Sequence, residues 1–320
     1  MRQPPGPERV DRIPYHAHGD RAVLKGVIVA GGSGSRLFPI TKAVGKQLLP
    51  VYDKPMVYYP LSVLMMAGIR EICFVTTPQE RPRFQALLGD GGWLGCVFSY
   101  RVQEAPAGIA DAVLCAEDVV GDSAFAAILG DNIFHGFGLV EDLSRLAGRF
   151  AEKAEPGAQI FTFPVRDPER YGILYRDAAG RPEEIVEKPS TPRSREAIVG
   201  LYFYDRSAMR RARGLQASGR GELEITDVNR SYLAENRLAA KYLGRGYVWF
   251  DAGTPSALMQ ASSFVAALEE RQGLKMSCPE EVALRKGFIS FAGFRELVAT
   301  MADAAYRDYL QNIIRELENA

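Results

Sequence analysis

From residue 27 to residue 129 the chain repeats one pattern, a short run of β-branched and aromatic residues followed by a stretch with apolar residues at helical spacing. Residues 27–30, 71–76, 97–102 and 124–129 read as strands, and 57–67, 82–88 and 109–119 as the helices between them. Strands joined through helices run parallel, because only a long crossover returns the chain to the same edge. Such a sheet is covered on both faces, and its ligands gather beyond the carboxyl ends of its strands. Two of those ends carry unusual residues: Gly31-Gly32-Ser33-Gly34-Ser35-Arg36 and Gly130-Asp131-Asn132.

Beyond Gly157 strands dominate, in runs 158–165, 171–176, 183–189, 197–205 and 239–254, which read as a mixed sheet continuing the first. From Ser256 the pattern turns helical, over 258–268, 279–286, 291–302 and 306–317. Neither a long flexible linker nor an internal repeat interrupts the chain. The first 22 residues, rich in Pro, Arg and Gly and without the apolar centre of a signal peptide, read as a flexible extension. No apolar run approaches the roughly 20 residues of a membrane span.

Lys plus Arg and Asp plus Glu both total 39, so overall charge supplies no attraction to a nucleic acid and any phosphate binding must be local. Cys73, Cys96, Cys115 and Cys278 lack metal-site spacing, and three lie in apolar runs, as buried thiols of a reducing cytoplasm would.

The glycine loop suits an anion, since glycines let backbone N–H groups converge on it. It is not a Walker loop: ahead of Gly45-Lys46, Ile40 stands where the first glycine belongs, and Gln47 replaces the hydroxyl. It is also a poor dinucleotide fingerprint, because Leu37 occupies the third glycine position. Asp131 and Asp251 each end a β-like run, and Mg²⁺ is held by one or two carboxylates together with phosphate oxygens. Arg36, Lys46, Lys188 and Arg220 fall in loops that strand ends would gather around them. That is equipment for moving a phosphoryl-type group by positioning and charge neutralisation. His16, His18 and His135 are the only histidines, and no nucleophile–base arrangement is evident, so no covalent intermediate is required.

The runs GGSGSRL, KQLLPVYDKPMVYYPLSVLMMAGI, ILGDNIF, DPERYGI, EKP, GLYFYD, GRGELEITDVN and GRGYVWFDAGT closely resemble, in order, the short bacterial glucose-1-phosphate thymidylyltransferases. The likeness is nearly collinear from Leu24 onward. It implies an α/β fold, with a Rossmann-like nucleotidyltransferase core, a mixed central sheet and a helical C-terminal region. The core would span 23–255, its nucleotide-binding part about 23–156 and its sugar-binding part about 157–255, with helices over 256–320. The resemblance further implies a Mg²⁺-dependent cytoplasmic homotetramer that joins dTTP and glucose 1-phosphate into dTDP-glucose and pyrophosphate. Gly31, Gly32, Ser33, Gly34, Ser35 and Arg36 would cradle the triphosphate, with Lys46 near the reacting centre and Asp131 and Asp251 on the metal. Gln47 and Gln103 would read the base and Gly108 pack beneath it. Lys188 and Arg220 would grip the sugar phosphate, with Gly172, Glu187 and Trp249 near the hexose. UTP or an amino-sugar 1-phosphate as substrate, and a non-catalytic regulator of the same fold, are the alternatives to that reading.

Several positions depart from the family pattern: Ser35 and Ala252 stand where Thr is usual, and His135 and Phe137 where Tyr and His are common, near the family's regulatory pocket. Asp111, within GIADA, replaces a glutamine, and Val199 replaces a threonine expected beside the sugar. If Asp111 lies near the sugar or ribose it should favour hydroxyl or ammonium donors; if it faces solvent it should change nothing.

Overall fold

The computed structural model describes residues 24–32, 34–152 and 157–319; Ser33, His16, His18 and the proposed extension lie outside them. In chain order β1 (Lys25–Ala30) is followed by a two-stranded ribbon, β2 (Pro50–Val51) and β3 (Lys54–Pro55), then α1 (Tyr58–Met66), β4 (Glu71–Thr76), α2 (Arg81–Leu88) and β5 (Val97–Val102). Next come α3 (Ile109–Leu114), α4 (Glu117–Val120), β6 (Phe125–Leu129), β7 (Asn132–Gly136) and α5 (Leu139–Ala151). β8 (Ala158–Pro164), β9 (Gly172–Arg176), β10 (Pro182–Glu187) and β11 (Glu196–Tyr204) precede α6 (Ala208–Arg213), α7 (Ile225–Ala234), β12 (Leu238–Tyr242) and β13 (Tyr247–Asp251). Helices α8 (Pro255–Gln272), α9 (Pro279–Arg285), α10 (Phe291–Thr300) and α11 (Ala305–Glu318) complete the chain.

Nine strands form the central sheet in the order β10-β9-β11-β6-β1-β4-β5, with β8 on β11 and β12 on β8. The stretch β6-β1-β4-β5 is parallel, and β11 enters antiparallel to β6, so the sheet is mixed. Alternation fills both faces. Ile28, Phe74 and Ile128 pack with Leu61 and Leu64 of α1 on one side, while Val27, Val75 and Ala127 meet Val113 of α3 and Val228 of α7 on the other.

Two features of this sheet position the cleft. β11 changes partner along its length: Leu201–Tyr204 pair with β6, whereas Ala197 pairs with Ile173 of β9. The two halves of the sheet therefore part near Gly200, whose N–H donates to Asn132 Oδ1 at 3.1 Å. Outside the main sheet, β7 and β13 pair antiparallel with Asn132 opposite Asp251, and Ala252 N–H donates to the Asp131 carbonyl at 3.0 Å.

Three expectations need correction. The run 239–254 is two strands, broken at Leu243–Gly246 so that β12 can join the main sheet and β13 leave it. The helix at 109–119 is interrupted where Ala116 N–H bonds to Val113 O, and restarts with Glu117 and Asp118 in its first turn, where carboxylates favour a helix N-terminus. Val199 does not face the cleft: with Leu201 and Phe203 it lies in the apolar layer on the α5 side of the sheet, while Ile198, Gly200 and Tyr202 face the cleft. A strand's period of two puts neighbours on opposite faces.

Candidate active site

A cleft of about 480 Å³ opens where the sheet divides, above the carboxyl ends of β1 and β6. It brings together Gly31, Arg36, Lys46, Gln47, Asp131, Gly172, Glu187, Lys188, Trp249 and Asp251 from among the sequence candidates. Gly32, Gly34, Ser35, Gln103, Gly108 and Arg220 do not line it directly. Gly32 and Gly34 take φ values of 106° and 59°, left-handed conformations that glycine reaches without a Cβ penalty.

The two aspartates arrive from adjacent strand ends. Asp131 follows β6, whereas Asp251 closes β13 just before Thr254, whose hydroxyl caps α8 by accepting from Ala257 N–H at 3.3 Å. Lys46 ion-pairs with Asp131 Oδ2, and Asn132 Nδ2 donates to Asp131 Oδ1 at 3.1 Å. Burial pushes the Asp131 carboxyl up, but the Lys46 charge and these hydrogen bonds outweigh it and hold the group below the usual range. Asp251 goes the other way: burial and then the charge of Asp131 hold it above that range, against the pull of Arg36, Lys46 and Arg170.

Two carboxylates that crowd each other in a buried cleft suit a hard cation, because its charge would relieve both. Among the described residues no group of three or more His, Cys, Asp or Glu could hold a metal unaided. The donor set fits Mg²⁺, which is bound through one or two carboxylates and completed by phosphate oxygens.

The opposite wall is built by β9, β10 and the start of α7. Lys188 follows β10 with a φ of 44°, a left-handed conformation unusual for lysine, held by its N–H donating to Tyr171 O at 2.9 Å. Such strain persists where surrounding structure overdetermines it, and functional sites are where it collects. Glu187 Oε2 accepts from Thr226 Oγ1 at 2.5 Å. A Cβ on Gly172 would stand 3.1 Å from both of those oxygens, so glycine keeps that pocket open. Trp249 forms an apolar side, its Nε1 donating to Asn132 Oδ1 at 2.7 Å and its ring meeting Tyr171 edge-on at 5.4 Å. Arg220 stands behind this wall, paired with Glu224 at 2.6 Å and with Glu187 and Glu222 at 3.4 Å. Its charge is therefore shared among three carboxylates.

Gln103 and Gly108 lie beside the far end of the cleft. Gly108 has a φ of 105°, and a Cβ there would come within 2.4 Å of Leu223 O, so no other residue fits. Gln103 Nε2 donates to Gly108 O at 3.0 Å and to Asp111 Oδ2 at 2.8 Å. Asp111 does not line the cleft; its carboxylate accepts from another side chain. Gly31 is constrained by the same amide, since a Cβ there would stand 2.6 Å from Gln103 Oε1. Gly31→Ala should displace Gln103 and raise the apparent Kd of any ligand seated against it by about 10-fold or more, readable by calorimetry, with the thermal midpoint little changed. Unaltered binding would show that Gln103 is remote from the ligand.

Sequence reasoning overlooked Arg170, Asn132, Tyr171 and Thr226, which all line the cleft. Arg170 Nη1 donates to Asp167 at 2.5 Å, and its Nη2, 3.5 Å from Asp251 Oδ2, is buried without a hydrogen-bond partner. The DPERYGI run carried Arg170 and Tyr171, and ILGDN carried Asn132, but nothing local shows that an arginine after β8 turns toward an aspartate ending β13.

The sequence model of the Nucleotidyl transferase family matches residues 25–267. A glucose-1-phosphate thymidylyltransferase of Xanthomonas campestris pv. campestris is 51% identical over 286 residues, 89% of this chain and 95% of its own. One from Mycobacterium tuberculosis is 47% identical over 291 residues, 91% of this chain and 99% of its own. A Bacillus anthracis structure described as a glucose-1-phosphate thymidylyltransferase in complex with a sucrose superposes with a TM-score of 0.69 at 39% identity, covering 76% of this chain and 95% of that one.

Proposed function

The chain belongs to the nucleotidyl transferase family and is a sugar-1-phosphate nucleotidyltransferase, and from that premise we propose that it joins dTTP to glucose 1-phosphate, forming dTDP-glucose and pyrophosphate. The observation that supports this most is the meeting in one cleft of Asp131 and Asp251 with Lys46, Arg36 and the conformationally strained Lys188.

In the proposed reaction an anionic oxygen of the sugar phosphate attacks the α-phosphorus in line, the bond to the β-phosphate oxygen breaks, and pyrophosphate leaves. The nucleophile is already ionised, so no general base is needed; this agrees with a cleft that no histidine lines among the described residues. Arg36 and Lys46 neutralise the triphosphate, and the glycine loop from Gly31 approaches it by backbone. Lys188 holds the sugar phosphate, Arg220 supports it from behind, and Glu187, Gly172 and Trp249 shape the hexose site. Gln47 and Gln103 face the base. Asp131 and Asp251 would hold Mg²⁺, which when bound supplies charge neutralisation at the phosphates. We also propose assembly as a homotetramer. Among the described residues no helix is long and apolar enough to cross a membrane.

Pyrophosphate release across a matrix of nucleoside triphosphates and sugar 1-phosphates tests the substrate assignment. The highest kcat/KM is expected for dTTP with glucose 1-phosphate, and a clear preference for UTP or for an amino-sugar 1-phosphate would replace it. The division of labour has its own test. Lys188→Ala should raise the KM for the sugar phosphate about 10-fold or more with little change for dTTP, whereas Arg36→Ala should chiefly lower kcat. Equal effects of both changes on both substrates would refute it.

A further inference from the structure

Gln103 follows β5 at the nucleotide end of the cleft, and its amide has two unlike faces. Nε2 is engaged by two acceptors, Gly108 O at 3.0 Å and Asp111 Oδ2 at 2.8 Å. Neither can donate. Turning the amide over would set Oε1 against a carbonyl oxygen and a carboxylate and forfeit two hydrogen bonds, one of them charge-assisted. Oε1 is consequently fixed on the opposite side, over Gly31, which lines the cleft, and among the described residues it accepts no hydrogen bond.

We propose that Asp111 is a positioning residue for base selection: by holding the Gln103 amide in one orientation it offers the base an acceptor and never a donor. This rests on the nucleotidyl-transfer reading above. Thymine and uracil present N3–H to such an acceptor, whereas cytosine presents a lone pair at N3. A freely turning glutamine could satisfy either edge, because it carries both a donor and an acceptor. A glutamine in place of Asp111, the usual family residue, could present its own nitrogen to Oε1 of a turned amide and would leave Gly108 O as the one fixed acceptor opposing the turn. The carboxylate cannot. The substitution therefore makes this chain stricter toward N3–H pyrimidines than the family pattern requires.

The experiment compares dTTP and dCTP in the parent, in Asp111→Asn and in Asp111→Gln. It uses kcat/KM with glucose 1-phosphate and, without sugar phosphate, calorimetric Kd. The parent is expected to favour dTTP by about 100-fold or more, and each variant to lower that ratio about 10-fold or more, mainly by gaining on dCTP. A merely structural role would weaken both nucleotides in parallel and leave the ratio standing; that result overturns the proposal, as does a parent preference below about 10-fold. Two variants, one isosteric and one a methylene longer, guard against one failing to fold, and the parent ratio stands without either. If the parent releases pyrophosphate from no pyrimidine triphosphate, the catalytic reading falls and takes the proposal with it. If dTTP is used well but the ratio does not move in the variants, only the role of Asp111 falls.

Discussion

Asp131→Asn and Asp251→Asn should each lower kcat by about 100-fold or more, some 3 kcal/mol of transition-state stabilisation, while the chain still folds. Asparagine keeps the shape of aspartate and its place at the strand end, but a neutral amide cannot hold a divalent cation against competing water. The two variants should differ in one respect. Asp131 is the partner of Lys46, so its loss also leaves a mostly buried ammonium without a counter-charge; Asp251 sits between Arg36 at 3.8 Å and Arg170 at 3.5 Å, both more exposed. The thermal midpoint should therefore fall further for Asp131→Asn than for Asp251→Asn. Turnover titrated with Mg²⁺ and a thermal melt check both statements. Near-normal turnover of either variant at limiting Mg²⁺ would remove that residue from the metal site.

The second large effect concerns stability. Lys54, whose side chain is only 1% exposed, places Nζ 2.6 Å from Asp53 and 2.7 Å from Glu269, and Lys275 Nζ contacts the same two carboxylates. Glu269 Oε1 also accepts from Met276 N–H at 2.8 Å. Four charges that sum to zero thus fasten the β2–β3 ribbon to α8 and the segment after it. Lys54→Met should cost about 3 kcal/mol at neutral pH, because it leaves the buried Glu269 carboxylate sharing one lysine with the more exposed Asp53. Burial raises the Asp53 carboxyl, but its hydrogen bonds to Lys275 and Lys54 prevail and lower it overall. A depressed carboxyl stabilises the fold above its unfolded pKa, near 4, and the contribution disappears as pH falls through its folded value. The gap between parent and variant should accordingly narrow from pH 5 toward pH 3, since a protonated Asp53 no longer needs Lys54. Urea midpoints across that range decide it, and a gap that stayed constant would show that packing, not charge, is what Lys54 contributes.

The strands β1, β4 and β6 were legible because each is a short apolar run buried on both faces and bounded by a helix or a turn, and the edge strand β5 because Phe98 and Tyr100 alternate with more exposed residues. β7 was not: Asn132–Gly136 carries Asn, His and Gly, and pairs only because β13 returns beside it. The cleft shows the same division. The glycine loop and the two aspartates declared themselves by residue type at strand ends. The orientation of Gln103, the strained backbone of Lys188 and the approach of Arg170 to Asp251 left no local trace.

By itself, then, the sequence determined the strands of the parallel half, the helices between them and the helical C-terminal region, which loops can accept an anion, and most of the charges available to the site. Periodicity and turn chemistry are properties of neighbours, and they are written within a few residues. Only the tertiary structure decided which charges meet. The β7–β13 ladder sets Asp251 beside Asp131, the change of partner along β11 opens the cleft at Gly200, and the period of that strand sends Val199 to the core rather than to the cleft. Those contacts join segments far apart in the chain, so they depend on register and on closure of the whole sheet, which no local pattern encodes.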